Sequence, residues 1–364
     1  YGGGSGTADD PYLIYTAEQM NAIGADPNDW DKHFQLRADI DLAQYTGTEF
    51  NLIGGYESRS AGGRSRMVWR SFTGMFDGNG HIISNFRYVC DGEGLIGLFR
   101  RIDHPNAVVK RLGLMDVMII AGTGNAVGSL AGWVESGMIT ECYATGVVAG
   151  NDSVGGLVGH GGRIEGCHAD AVVKGHDHVG GLAGSAETIV NSYAQGTVVG
   201  NEYVGGLAGY DSYIWGSTVT NCYAMALVIG TANTGGLVGR DVFTGWEYEH
   251  VVASFWDMET SRQTTSAGGT GKTTAQMQAL STFRAWGEGG SAGVWTIDDG
   301  EDYPRLAWEN QPGVAIDSLE FSDLLVGTGT ADDPYLIHTA DEIKLVASEP
   351  PSGTSTTNWW PIST

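Results

Sequence analysis

A Gly-rich hexapeptide recurs five times along the middle of the chain, and its spacing limits the possible folds more than any other feature. The copies are Val127-Gly-Ser-Leu130-Ala-Gly132, Val154-Gly-Gly-Leu157-Val-Gly159, Val179-Gly-Gly-Leu182-Ala-Gly184, Val204-Gly-Gly-Leu207-Ala-Gly209 and Thr234-Gly-Gly-Leu237-Val-Gly239. Successive leucines are 27, 25, 25 and 30 residues apart, and a fainter copy, Ile96-Gly97-Leu98-Phe99, lies 32 residues earlier. A strand–helix unit needs about 30 residues or more, so this period is too short for repeated crossovers. It fits one coil of a parallel β-solenoid, in which equivalent positions stack into ladders. Glycine is expected at the corners, where the chain turns with positive φ.

A second motif alternates with the first: Cys142-Tyr-Ala-Thr-Gly-Val-Val148, Cys167-His-Ala-Asp-Ala-Val-Val173, Ser192-Tyr-Ala-Gln-Gly-Thr-Val198 and Cys222-Tyr-Ala-Met-Ala-Leu-Val228. Side chains alternate across a strand. Asp170, Lys174 and Gln195 share a face with the aromatic positions and are costly to bury, so the small residues face the core. Tyr143, His168, Tyr193 and Tyr223 then form an outward ladder with rungs about 4.8 Å apart. Stacked aromatics can hold sugar rings, but they also stabilise strands pairwise.

The ends of the chain carry a different repeat. Gly6-Thr-Ala-Asp-Asp-Pro-Tyr-Leu-Ile14 returns letter for letter at 329–337. The expected organisation is an N-terminal β region over 1–95 and solenoid repeats over 96–260. A capping segment with a short helix near Thr273–Trp286 follows over 261–312, then a linker with a second module or docking tail over 313–364. The fold class is therefore all-β, a single parallel β-solenoid with rungs of about 25–30 residues.

These residues resemble the GLUG-repeat proteins, a family of bacterial secreted and surface-attached proteins. The resemblance takes in the opening GTADDPYLI, Leu36–Leu42, Phe72–His81, the five Gly-rich copies, Ser254–Asp257, Ser266–Thr274 and the stretch from Trp295 to Leu306. It implies an extracellular β-solenoid and brings no catalytic residues with it. Ser129 replaces the second glycine of the motif and Thr234 the leading valine, both at outer rungs.

Charge and cysteine usage narrow the function. The 364 residues carry 43 acidic against 19 basic side chains, a formal charge of −24, which argues against a nucleic-acid partner. No apolar run nears the roughly 20 residues of a spanning helix, so membrane insertion is not expected. The chain opens on Tyr1 with no charged-then-apolar leader, which points to a processed start. Four cysteines are too few for a disulfide scaffold. Cys142 and Cys167 fall on adjacent rungs, where buried free thiols are favoured over a bond because parallel side chains rarely reach disulfide geometry.

Candidate sites are few. Ser266-Ala-Gly-Gly-Thr-Gly-Lys-Thr273 has a phosphate-loop look, but it lacks the leading glycine and the apolar strand ahead of it, so a turn is expected. Asp152, Asp177 and Glu202 occupy one corner on consecutive rungs. Either Ca²⁺ relieves their repulsion or they form a solvated acidic edge. No catalytic constellation stands out, and no other cofactor is expected. The leading function is structural or adhesive, non-enzymatic and at the cell surface or outside the cell. The alternative is a carbohydrate-binding or polysaccharide-cleaving surface along Tyr143, His168, Tyr193 and Tyr223.

End-to-end self-association is the last expectation. Residues 59–111 hold nine basic against four acidic side chains, while 298–342 hold twelve acids and one arginine. Arg64, Arg66 and Arg70 on one side and Asp332, Asp333 and Tyr335 on the other are the candidate contacts, with opposite charge steering the encounter.

Overall fold

The computed structural model describes residues 1–61, 64–211, 218–240, 250–288 and 293–316. Strands dominate, and nearly all of them pair in parallel. One long sheet starts at Tyr12–Ile14 and passes through His33–Leu36, Met75–Asp77 and Phe99–Lys110, then Ala131–Thr140 and Val158–Glu165, on to Val238–Arg240. A second runs from Ile40–Asp41 through Gly113–Ile120, Tyr143–Ala149, His168–Lys174, Tyr193–Val199 and Tyr223–Ile229 to Thr270–Lys272. A third, narrow sheet holds Val154–Gly155, Asp177–Gly180, Glu202–Gly205 and Ala232–Gly235. The chain visits the sheets in a fixed order and comes back to pair in register with its earlier copy. Tyr143 thus pairs with His168, His168 with Tyr193 and Tyr193 with Tyr223.

The core is a set of columns. Leu130, Leu157, Leu182, Leu207 and Leu237 have no solvent exposure, and neither do Cys142, Ala144, Cys167, Ala169, Ala194 and Ala224. The small side chains therefore face inward, as the alternation requires. Each buried leucine stabilises the fold by roughly 1.5–3 kcal/mol. All four cysteines are free. Burial pushes the Cys222 thiol up to about 12, and its Sγ–H donates to the Thr220 carbonyl at 3.1 Å.

The reason for the glycines differs from the expectation. The Gly-Gly pairs of the hexapeptide do not have positive φ. Left-handed backbone falls instead on the residue just before each motif: Ala126, Ser153, His178, Tyr203 and Asn233 at one corner. At another corner it falls on Glu141, Gly166, Asn191 and Asn221, just before the Cys/Ser column. What the paired glycines supply is closeness. A Cβ on Gly156 would lie 2.3 Å from the Gly181 carbonyl oxygen, one on Gly181 2.2 Å from that of Gly206, and one on Gly206 2.2 Å from that of Gly236. No side chain fits between those backbones.

The ends are closed differently. The helix Ala17–Ala25, N-capped by Thr16, buries Met20 and Ile23 in the core beside the first strands. The late helix is three separate single turns, Thr274–Met277, Leu280–Phe283 and Ala285–Glu288. It was expected to close the end of the stack. Instead Met277, Phe283 and Trp286 pack on Tyr193, Tyr223 and Phe255, on the outer face of the second sheet. A small antiparallel sheet, Trp295–Ile297 with Arg305–Leu306 and Val314–Ala315, completes this cover.

The glycine geometry separates two substitutions. Gly181→Ala should lower stability by about 1–3 kcal/mol or more through backbone overpacking. Gly166→Ala would make only ordinary van der Waals contacts, the nearest at 3.7 Å, and should cost only the roughly 1–2 kcal/mol of a left-handed alanine. Urea unfolding of both variants checks this; Gly166→Ala proving the more damaging would reject the closeness argument.

Candidate functional site

The aromatic ladder is the most regular surface feature. Ring centroids of Tyr143 and His168 are 5.1 Å apart, those of His168 and Tyr193 4.6 Å, and those of Tyr193 and Tyr223 4.9 Å. Successive planes are tilted by only 6°, 4° and 5°. The rings point away from the core, as expected from the alternation, but they do not form the open surface expected of them. Tyr193 is 5% and Tyr223 1% exposed. Trp286 and Trp295 lie against Tyr223, and Trp295 also against Tyr193. A row of flat rings is a large apolar area, and the tryptophan-rich segment after the last repeat buries it. This excludes Tyr193 and Tyr223 as surface contacts for a glycan.

Most polar atoms along this seam are hydrogen-bonded, the buried His168 Nδ1 and Arg305 Nε being exceptions. Tyr223 Oη donates to the Pro304 carbonyl at 2.6 Å, and Trp308 Nε1 to that of Gly166 at 2.9 Å. Tyr193 Oη lies 3.2 Å from both carboxylate oxygens of Glu309. Tyr303 Oη and the hydroxyls of Thr260 and Thr274 converge on the Asp257 carboxylate. Burial pushes the Asp257 carboxyl up, but these donors together outweigh it and hold the group below the usual range. Burial, with the Asp257 carboxylate beside it, pushes Tyr303 up to about 12. Nothing in the spacing of the repeats announces this knot, although Asp257, Thr274 and Tyr303 each fall in a stretch that carries the family resemblance.

His168 Nε2 is 3.9 Å from Glu309 Oε2, yet the two are not an ion pair. Burial lowers His168 to about 4, so it is neutral, and burial raises Glu309. Only the Tyr143 end of the ladder stays accessible. There a recess of about 420 Å³ is lined by Tyr143, His168, Trp308, Arg111, Glu141 and Gln311, among others.

The acidic corner is built for stacking. Asp177 and Glu202 are in register. Asp152 Oδ1 accepts from the Asp177 amide at 3.3 Å, and Asp177 Oδ1 from the Glu202 amide at 3.2 Å. Each carboxylate thus ties its rung to the next instead of merely repelling the next carboxylate. Possible cation ligands gather as Asp152, His176 and Asp177, within 4.8 Å of one another, and Glu202 is not in that group. The phosphate-loop look-alike ends in the strand Thr270–Lys272, and Ser266 Oγ accepts from the Val238 amide at 2.9 Å.

Of the self-association residues, Arg64 and Arg66 sit in the hairpin strand Arg64–Arg70. Arg70 donates to the Pro27 carbonyl at 2.8 Å. Asp332, Asp333 and Tyr335 lie outside the described residues. Several other arginines of the basic stretch are paired within the chain: Arg100 with Glu93, Arg101 with Asp103 and Glu135, and Arg111 with Asp77. Among the described residues no helix is long and apolar enough to cross a membrane.

No family model matches the chain. It is 31% identical over 158 residues to Halomucin of Haloquadratum walsbyi, which covers 43% of this chain and 2% of that protein. It is 33% identical over 136 residues to a protein of Evansella cellulosilytica named "Putative Gly-rich membrane protein", covering 36% of this chain and 14% of the relative. The chain therefore matches only small parts of these longer proteins. The crystal structure of a "putative immunoglobulin A1 protease" from Bacteroides ovatus aligns over 84% of this chain and 94% of its own. Its TM-score is 0.60 at 21% identity, a likeness of fold alone.

The buried, neutral His168 makes a pH test. A depressed imidazole contributes stability that is present above its ordinary pKa of about 6.5 and lost as pH falls toward its folded value. Glu309 runs the other way: its raised carboxyl favours the fold below the ordinary carboxyl range, and that share is lost as pH rises through its folded value. His168→Phe keeps a ring in the stack and removes the first term. Between pH 7 and 4 the unsubstituted chain should lose about 2–3 kcal/mol relative to the variant. Parallel stability–pH curves from chemical unfolding would sink the assignment.

Proposed function

We propose that this chain is a non-enzymatic module of a long secreted or surface-attached microbial protein. In this reading its sheets are the faces of a single parallel β-solenoid of the GLUG-repeat type, serving as a scaffold or adhesive element. The observation that carries the reading is the in-register stacking of the repeats, with polar groups at the corners spent on holding rung to rung. The short matched fraction of both relatives supports a module within a longer polypeptide, and the name of one of them as a membrane protein supports a surface location. Incubation with polysaccharide and protein substrates should release no product, and electron microscopy should show uniform rods. Saturable turnover would overturn the non-enzymatic reading, and globular particles the scaffold.

One observation favours end-to-end assembly as well. The first GTADDPYLI copy supplies Tyr12–Ile14, the terminal strand of the long sheet, which pairs with His33–Leu36 while Leu13 exchanges backbone hydrogen bonds with Gly2 and Gly3, a short segment that an added strand would displace. A second copy of the same sequence can present the same strand to another module by edge addition. Opposite charge at the two regions sets the polarity of the contact, and a heterologous contact of this type propagates. Light scattering at low salt should show the full chain growing in mass with concentration, and a variant ending at residue 325 staying monomeric. Equal masses for the two would exclude assembly through this tail.

A further inference from the structure

We propose that the recess at the Tyr143 end of the ladder is a binding site for a short neutral saccharide. The proposal rests on the reading of the chain as an extracellular binding scaffold and names the ligand class for it.

The site exists because the ladder stops there. Tyr143 is in register with Gly113 on the preceding strand, so no ring continues the stack. Gly113 has no side chain, and the Tyr143 ring takes up that space, lying 2.5 Å from where a Cβ would be. Trp308 adds a second aromatic plane, with centroids 6.2 Å from Tyr143 and 5.8 Å from His168. Its Nε1 bond to the Gly166 carbonyl fixes the indole in place. Aromatic faces carry the negative side of the ring quadrupole, which suits the weakly positive C–H face of a pyranose. The opening measures about 420 Å³, within the usual range for small-molecule sites.

The rim supplies hydrogen bonding. Arg111, Glu141, Asn310 and Gln311 line it with donors and acceptors suited to paired hydroxyls. The Arg111 guanidinium is held on both carboxylate oxygens of Asp77, which positions it without leaving it free to bind an anion. His168, on the wall, has a buried Nδ1 with no hydrogen-bond partner among the described residues. That nitrogen is closed to solvent and so to a ligand in the recess, and His168 contributes ring surface to the wall and no hydrogen bond from this atom. Glu141 and Glu309 also line the recess. Among the described lining residues the one cation, Arg111, is offset by Asp77, so a phosphate, sulfate or uronate finds no net counter-charge. The geometry therefore favours neutral sugars over nucleotides and acidic glycans.

The test uses the full chain and calorimetric titration with cellohexaose, laminarihexaose, mannohexaose and chitohexaose, with oligogalacturonate as the anionic control. At least one neutral hexamer should bind saturably in the micromolar to millimolar range. Trp308→Ala and Gln311→Ala should each weaken that binding, the former by about tenfold or more, while Tyr56→Ala on the distant hairpin leaves it unchanged. Gln311 is exposed, so its variant reports on the site even if Trp308→Ala disturbs the fold. No binding of any neutral hexamer at about 5 mM, binding of oligogalacturonate alone, or binding indifferent to both rim substitutions would overturn the site. Absence of binding leaves the expectation of rods under the microscope untouched. Cleavage of a bound hexamer would keep the site and overturn the non-enzymatic reading.

Discussion

The close approach of successive backbones at the Val-Gly-Gly-Leu corner is the contact on which the rest of the structure depends. The Gly156, Gly181 and Gly206 backbones each meet the carbonyl of the next rung at a distance that admits no Cβ. That proximity fixes the stagger between rungs. With the stagger fixed, every equivalent position is brought into line, and the Leu, Val, Ala and Cys columns follow. A one-residue slip would turn each column to the opposite face, so the glycine corner also protects the inward set. The left-handed residues ahead of each motif do the turning, and they need not be glycine. His178 and Tyr203 adopt that conformation and stack on each other at 5.0 Å.

A stack this regular creates its own surface problem. Register that aligns leucines inside also aligns rings outside, and four parallel rings expose more apolar area than a monomer usually leaves bare. The chain answers with the segment from Phe255 to Ile316. Its aromatic residues, Phe283, Trp286 and Trp295 among them, form a second core with Tyr193 and Tyr223. The polar atoms of that seam are placed where burial shifts their titration, which is why His168 is neutral beside a carboxyl that burial also pushes toward its neutral form.

The parallel sheets were legible because repetition is a property of sequence. The 25-residue steps gave the rung spacing, and the alternation of Cys-Tyr-Ala and Cys-His-Ala gave the inward face. Asn191, Asn221 and Asn233 could also have been read, since Asn favours left-handed backbone. The cover was not legible. Tyr193 meets Glu309 across 116 residues, and no local pattern encodes a contact at that separation. The helical segment near Thr273–Trp286 was legible from Met277, Leu280 and Phe283 falling on one side, yet its place on the lateral face depends on the ring ladder it covers. Charge misled in a related way: the arginines of residues 59–111 look unopposed in a count, whereas Arg101 and Arg111 find carboxylates one rung away and Arg100 finds Glu93 seven residues before it.

Repetition also restricts where a ligand can be recognised. Equivalent positions on successive rungs present equivalent chemistry, so a regular ladder offers a ligand many similar footholds and no unique one. Specific recognition requires the repeat to be broken. In this chain the breaks coincide at one place. Gly113 stands where the next ring would be, and the turn carrying Trp308 and Glu309 leaves the cover there to close over His168. The acidic corner shows the opposite case, where Asp177 repeats toward Glu202 the bond that Asp152 makes toward Asp177. The difference between a rung that holds the stack together and a rung that can hold something else is whether its neighbour is the same.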